Sequence, residues 1–321
     1  MRQKGITLLE LLTVIVILSL MMGLSMSYFT NANKDLGVQA SANHVVSLLR
    51  SVRDHARIRS EPAWVVLNPS GNSIHALTQE TYGEWHFEDT VSTGAFGRNA
   101  EIERGALVQG RIGMGVNLRS SGTIDCGVLP VFAPDQGISI QFWYYRVAKS
   151  RSQTLFTIGD MAEMKIFANG KIRVKLGEHT LGSGTVALRT GNVWYHIHLV
   201  HNGREMQLFV NGARVGTSTG TLRWRKEESF VVGATRSGIS GIVDELKIGF
   251  IFARELHYFP KEVTLELAPG LLPKDRKEFL VHFDSEGRLD SRKHTQPIRF
   301  KVKSTADESD ITINTTGTVD R

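Results

Sequence analysis

MRQKGITLLELLTVIVILSLMMGLSMSY fills residues 1–28, and its reading decides how the rest of the chain is held. Residues 6–28 form an apolar run of 23 with a single charge, Glu10. At 1.5 Å per helical residue that run reaches about 34 Å, enough for a bilayer core of about 30 Å. Arg2 and Lys4 lie just outside it, which places the first residues on the cytoplasmic side and the bulk beyond the membrane. A secretory signal would be followed by an A-x-A-like cleavage site, and none follows Met26. A plain anchor leaves Glu10 unexplained, because a carboxylate in hydrocarbon costs roughly 2–3.5 kcal/mol unless it is paired.

The segment Lys4-Gly5-Ile6-Thr7-Leu8-Leu9-Glu10 resembles the leader of type IV prepilins and type II secretion pseudopilins. The resemblance implies a leader 1–5 removed after Gly5 by a prepilin peptidase, methylation of the new terminus at Ile6, and a transmembrane helix 6–28. It also implies that Glu10 pairs with the terminal amine of a neighbouring subunit during filament assembly. An intramembrane acid would then gain its cation only in the oligomer. Ile6 stands where the family usually has phenylalanine.

Outward from this run the chain is ordinary soluble material: 321 residues, 41% hydrophobic, 22% charged, net charge +6. The length suits about two domains on a prior of ~150 residues each. One cysteine, Cys126, excludes a disulfide scaffold and a cysteine-based zinc site. The small positive balance is no nucleic-acid footprint, and its basic clusters (Arg223, Arg225, Lys226; Lys274, Arg276, Lys277) are interleaved with acids.

After a polar stretch at 30–35, apolar residues recur at helical spacing at Val45, Leu48, Leu49, Val52 and Ala56. Pro62 stops this amphipathic helix, and 63–67 and 73–78 read as strands about a turn. Leu49–Arg57 with Trp64-Val65-Val66-Leu67, and the terminal stretches 279–288, 298–302 and 311–319, resemble the H-type minor pseudopilins. A pilin-like domain is therefore expected over 29–83 and 257–321.

Residues 84–256 have another texture, with short alternating apolar strands and three Asn-Gly pairs at 169, 202 and 211. Asn-Gly between such runs is a hairpin signal, since a type I′ turn needs positive φ at both central residues. Trp85–Asp89, Gly110–Val116, Ile138–Trp143, Trp194–Ile197, Leu208–Gly212 and Gly241–Ile248 resemble, in order, the strands of concanavalin A-like and laminin G-like jelly rolls. The expected class is α+β: a long N-terminal transmembrane helix and a pilin-like sheet domain, interrupted by an all-β jelly-roll sandwich.

Resemblance to that fold implies calcium near Asp89 and Asp244. For glycan binding the sequence offers Trp224, in a polar loop, while Trp85, Trp143 and Trp194 read as core. His196 and His198 share a strand face, but no third metal ligand accompanies them. Catalysis is not expected: E-x-D-x-x-E is absent, Asp244 and Glu245 point to opposite faces, and no P-loop, GxSxG or HExxH occurs. The expectation is a minor pseudopilin or pilin at the bacterial inner membrane, single-pass and largely periplasmic. Its partners would be prepilin peptidase and other pilin subunits, with nucleic acid unexpected. The alternative is an adhesin or cargo-capture pilin whose sandwich holds a glycan or a secreted protein.

Overall fold

The computed structural model describes residues 8–88, 92–94, 98–131, 136–147, 151–191, 193–222, 226–272, 277–291 and 293–321. Among the described residues one helix, α1 (Leu8–Arg59), precedes twenty strands. They are β1 (Ala63–Asn68), β2 (Ser73–Trp85), β3 (Ser92–Gly94), β4 (Arg98–Gln109), β5 (Met114–Leu129), β6 (Gly137–Arg146) and β7 (Gln153–Ile158). Next come β8 (Ala162–Ile166), β9 (Ile172–Leu176), β10 (His179–Gly182), β11 (Trp194–His201), β12 (Glu205–Val210), β13 (Ala213–Thr219) and β14 (Glu228–Gly233). The last are β15 (Gly241–Tyr258), β16 (Thr264–Leu267), β17 (Phe279–Phe283), β18 (Ile298–Lys303), β19 (Glu308–Ile313) and β20 (Val319–Asp320).

The chain divides into two compact units, Met1–Leu77 with Arg254–Arg321, and Thr78–Ala253. Both boundaries fall inside long strands, β2 and β15, as do the positions 83/84 and 256/257 expected from the sequence.

In the first unit α1 is a single helix of 52 residues, where the sequence suggested two segments. Thr30, Asn31, Asn33 and Asp35 are poor helix formers but not breakers, and no proline occurs before Pro62. Val38, Ala42, Val45, Leu49, Val52 and Ala56 lie buried at three- and four-residue spacing, the stripe by which a helix seats on a core. The helix closes with a Schellman motif. Ser60 takes φ 54°, and the Glu61 amide donates to the Ala56 carbonyl at 3.1 Å. Against this stripe lie β1, paired antiparallel between β2 and β17, and the sheet β16-β18-β19-β20. Segments more than 200 residues apart thus meet: Val65 opposes Val281, and Arg321 donates to Asn43 Oδ1 at 2.6 Å. Among the described residues no helix is long and apolar enough to cross a membrane, so a crossing at 6–28 rests on the sequence alone.

The second unit is a β-sandwich of jelly-roll type with strand order β10-β9-β8-β7-β14-β5-β15-β6-β11-β12-β13. The long strand β5 serves both faces: Val116–Leu118 pair with β15, and Thr123–Leu129 with β14. Inward residues, among them Leu118, Ile140, Phe142, Tyr144, Phe156, Ile197, Leu208, Phe230 and Ile248, close one core. Of the three Asn-Gly pairs only Asn211-Gly212 is a type I′ turn, with φ 51° and 74° between Val210 and Ala213. At the second pair only Gly203 has positive φ (88°), and Asn202 accepts the amides of Arg204 and Glu205 on Oδ1 in an Asx turn.

Candidate functional site

Several expected site residues lie outside the described set: Gly5, Ile6, Asp89 and Trp224. Glu10 falls within α1. Asp244 is fully described. It is wholly buried, and both carboxylate oxygens accept backbone amides. Oδ2 takes those of Arg111 (2.7 Å) and Ile112 (2.9 Å), and Oδ1 takes that of Glu245 (2.8 Å). Burial holds its carboxyl above the ordinary carboxylate range, and the three amides offset only part of that rise. Oδ2 thus carries two N–H donors and Oδ1 one, while Asp89, the other residue expected near calcium, lies outside the described residues. Among the described residues no three acids, histidines or cysteines converge as a metal site.

What Asp244 does is hold the loop between β4 and β5. β15 bulges between Asp244 and Lys247, with Glu245 at φ 50°, which sets the carboxylate beneath that loop. Gly110 lets the two approach: a Cβ there would lie 2.6 Å from Asp244 Oδ2. The loop in turn places the Arg111 guanidinium over the ring of Trp143, 5.1 Å from its centroid.

Trp143 and Trp194 are not core. On β6 the inward residues are Phe142 and Tyr144, and on β11 Tyr195 and Ile197, so the two tryptophans face outward and are half-buried. Both faces of β6 are aromatic, and a period of two then has no preferred phase. Trp143 pairs in register with His196 and Tyr145 with Trp194, with ring centroids 5.1 and 5.5 Å apart. Arg111, Trp143, Val193, Trp194, His196 and Asn211 line an open hollow of about 630 Å³ on this face. That lies within the usual 300–1,000 Å³ of small-ligand sites. Burial lowers the His196 pKa, so its ring is neutral at pH 7. Asn211 Oδ1 accepts the His196 amide at 2.8 Å, fixing the turn to the strand. The neighbouring His198 is buried, lies 2.8 Å from Ser139 Oγ through Nε2, and is pushed down to about 3, chiefly by burial. It is a packed side chain, not a ligand.

Comparison with known proteins places both ends of this description. Residues 1–26 match the model of the prokaryotic N-terminal methylation motif. Residues 119–249 match the concanavalin A-like lectin/glucanases superfamily. The chain carries a prepilin-type leader and a lectin-like sandwich. Among solved structures it is similar to domain 4 of AbnA, a GH43 extracellular arabinanase from Geobacillus stearothermophilus, in complex with arabinotriose. Identity there is 15% and the TM-score 0.44, covering 53% of this chain and 92% of that one. A sialidase from Trypanosoma rangeli is similar at 15% identity and TM-score 0.40, over 52% of this chain and 30% of that one. The SAP-like pentraxin of Limulus polyphemus follows at 14% and 0.32, over 39% and 68%. Likenesses this weak say nothing of what the hollow binds. No curated relative matches the chain.

Proposed function

We propose that the chain is a low-copy subunit of a prepilin-type filament, of a type II secretion or type IV pilus machine, that carries a binding sandwich outside the bacterial inner membrane. The observation that supports this most is continuity. The methylation motif of residues 1–26 overlaps α1 from Leu8 onward, and the same helix supplies the core stripe of the first unit. Val14 and Ile15 are half-exposed on that helix, apolar surface suited to a bilayer or to neighbouring helices. The first unit, one helix against antiparallel sheet, suits a pilin-like body, and the bulk of the second suits a tip or minor position over a repeating one.

The test is Glu10→Ala in the full chain, expressed with its filament system. The variant is expected to be cleaved normally and to be missing from sheared filaments. Equal incorporation of variant and wild type would refute the assembly role. The second reading, a glycan-binding adhesin or cargo-capture pilin, is favoured by one feature, the aromatic hollow at Trp143 and Trp194.

A further inference from the structure

We propose that this hollow binds an acidic sugar, with its ring against Trp143 and Trp194 and its carboxylate on Arg111. The inference rests on the binding-sandwich reading and names the ligand class.

Arg111 carries the charge selection. Contact with the Trp143 face takes up none of its five N–H donors. Among the described residues no hydrogen bond or ion pair engages the guanidinium. Its position is not that of a loose surface arginine, because the flanking backbone is tied down by Asp244 at two successive amides. A held cation with free donors beside an aromatic floor matches an anion attached to an apolar face. A uronic acid has that shape, with a C–H face for stacking and a carboxylate at the ring edge.

The remaining polar groups suit hydroxyls. Asn211 uses Oδ1 on the His196 amide, so the Nδ2 donors are left for a ligand. The neutral His196 ring offers one donor and one acceptor. A peptide is the poorer match. β6 is paired on both sides, by β15 and β11, and β11 by β6 and β12. The hollow therefore has no free strand edge on which an extended peptide could add hydrogen bonds.

Titration calorimetry on the full chain in detergent micelles tests this with two matched pairs, trigalacturonate against galactotriose and cellobiouronate against cellobiose. The acid of at least one pair is expected to bind about tenfold or more tightly than its neutral partner, the effect of a charge-assisted contact, and to weaken with salt. Arg111→Gln should remove that difference while Lys261→Gln, an exposed site in the first unit, should not. Trp143→Ala should abolish binding of both members. Equal binding of acid and neutral sugar would overturn the acidic class while leaving a sugar-binding sandwich. Binding of neither pair, or an acid preference untouched by Arg111→Gln, would overturn the site itself. Triglutamate binding as tightly, with the same dependence on Arg111, would overturn the sugar in favour of a peptide. None of these results bears on filament assembly, which Glu10→Ala reads separately.

Discussion

Three buried histidines make the molecule sensitive to acid through identifiable protons. His201 Nδ1 accepts the Gly203 amide at 3.0 Å, while its Nε2 lies 3.1 Å from the Gly220 carbonyl, so a second proton would face an N–H. His294 Nε2 accepts the His282 amide at 3.0 Å, and the His282 ring accepts the Trp64 indole N–H at 3.1 Å. Burial holds His201 and His294 down at about 4, and His198 at about 3. The unfolded side chains take up protons near pH 6.5, the folded ones far lower. Their contribution is whole above pH 6.5 and declines as the pH falls toward 4. At pH 5 the loss is roughly 2 kcal/mol per histidine. Urea midpoints at pH 7.5 and 5.0 should differ accordingly, with His294 destabilising the first unit and His198 and His201 the second. Identical midpoints would contradict these assignments. Asp244→Asn belongs to the same scale. One of the two oxygens becomes an amide nitrogen that cannot accept, leaving buried N–H groups unpaired at about 1–3 kcal/mol. Its urea midpoint should fall, and any ligand of the hollow should weaken with it, since Arg111 rides on that loop.

At the scale of elements, α1 ends on a residue ill-suited to its backbone. Ser60 sits at φ 54°, the place where helices favour glycine. Ser60→Gly should stabilise the first unit by at most about 1 kcal/mol, once the entropy of glycine is set against the relieved strain, and so raise its melting temperature. A fall would mean that the serine side chain serves the cap. Gly212→Ala should destabilise the second unit, because φ 74° in the β12–β13 turn is strained for any side chain. The lower part of α1 was legible in the sequence: Val45, Leu49, Val52 and Ala56 announce their face by spacing. Its continuity was not, because propensity at 30–35 is weak and packing further along decides the outcome. The hollow was missed for another reason. Trp143 and Tyr145 alternate with Phe142 and Tyr144, so pattern alone cannot say which pair faces inward. What orients β6 is its pairing with β15 and β11, a non-local fact. The bulge at Glu245, which turns Asp244 toward the Arg111 loop, likewise has no local signature.

Across the whole molecule, two cores are built from one interrupted chain, and each is complete in itself. Replacing Thr78–Ala253 by a short Gly/Ser link should leave the first unit helical and cooperatively melting, as inserted domains generally permit. Loss of that transition would mean that the first unit needs the sandwich to fold. The sandwich and the leader were both readable from order and spacing of motifs, since Gly5, Ile6 and Glu10 stand at fixed separations. The ligand class was not readable, because it depends on which side chains two strands, β6 and β11, and the connections at Arg111, Val193 and Asn211 bring together. The central claim is that this chain is processed and assembled as a prepilin, and the mass of its mature N-terminus tests it most directly. Co-expressed with a prepilin peptidase, the full chain should begin at Ile6 and carry one N-methyl group. A chain still beginning at Met1, or cut beyond residue 26, would contradict it.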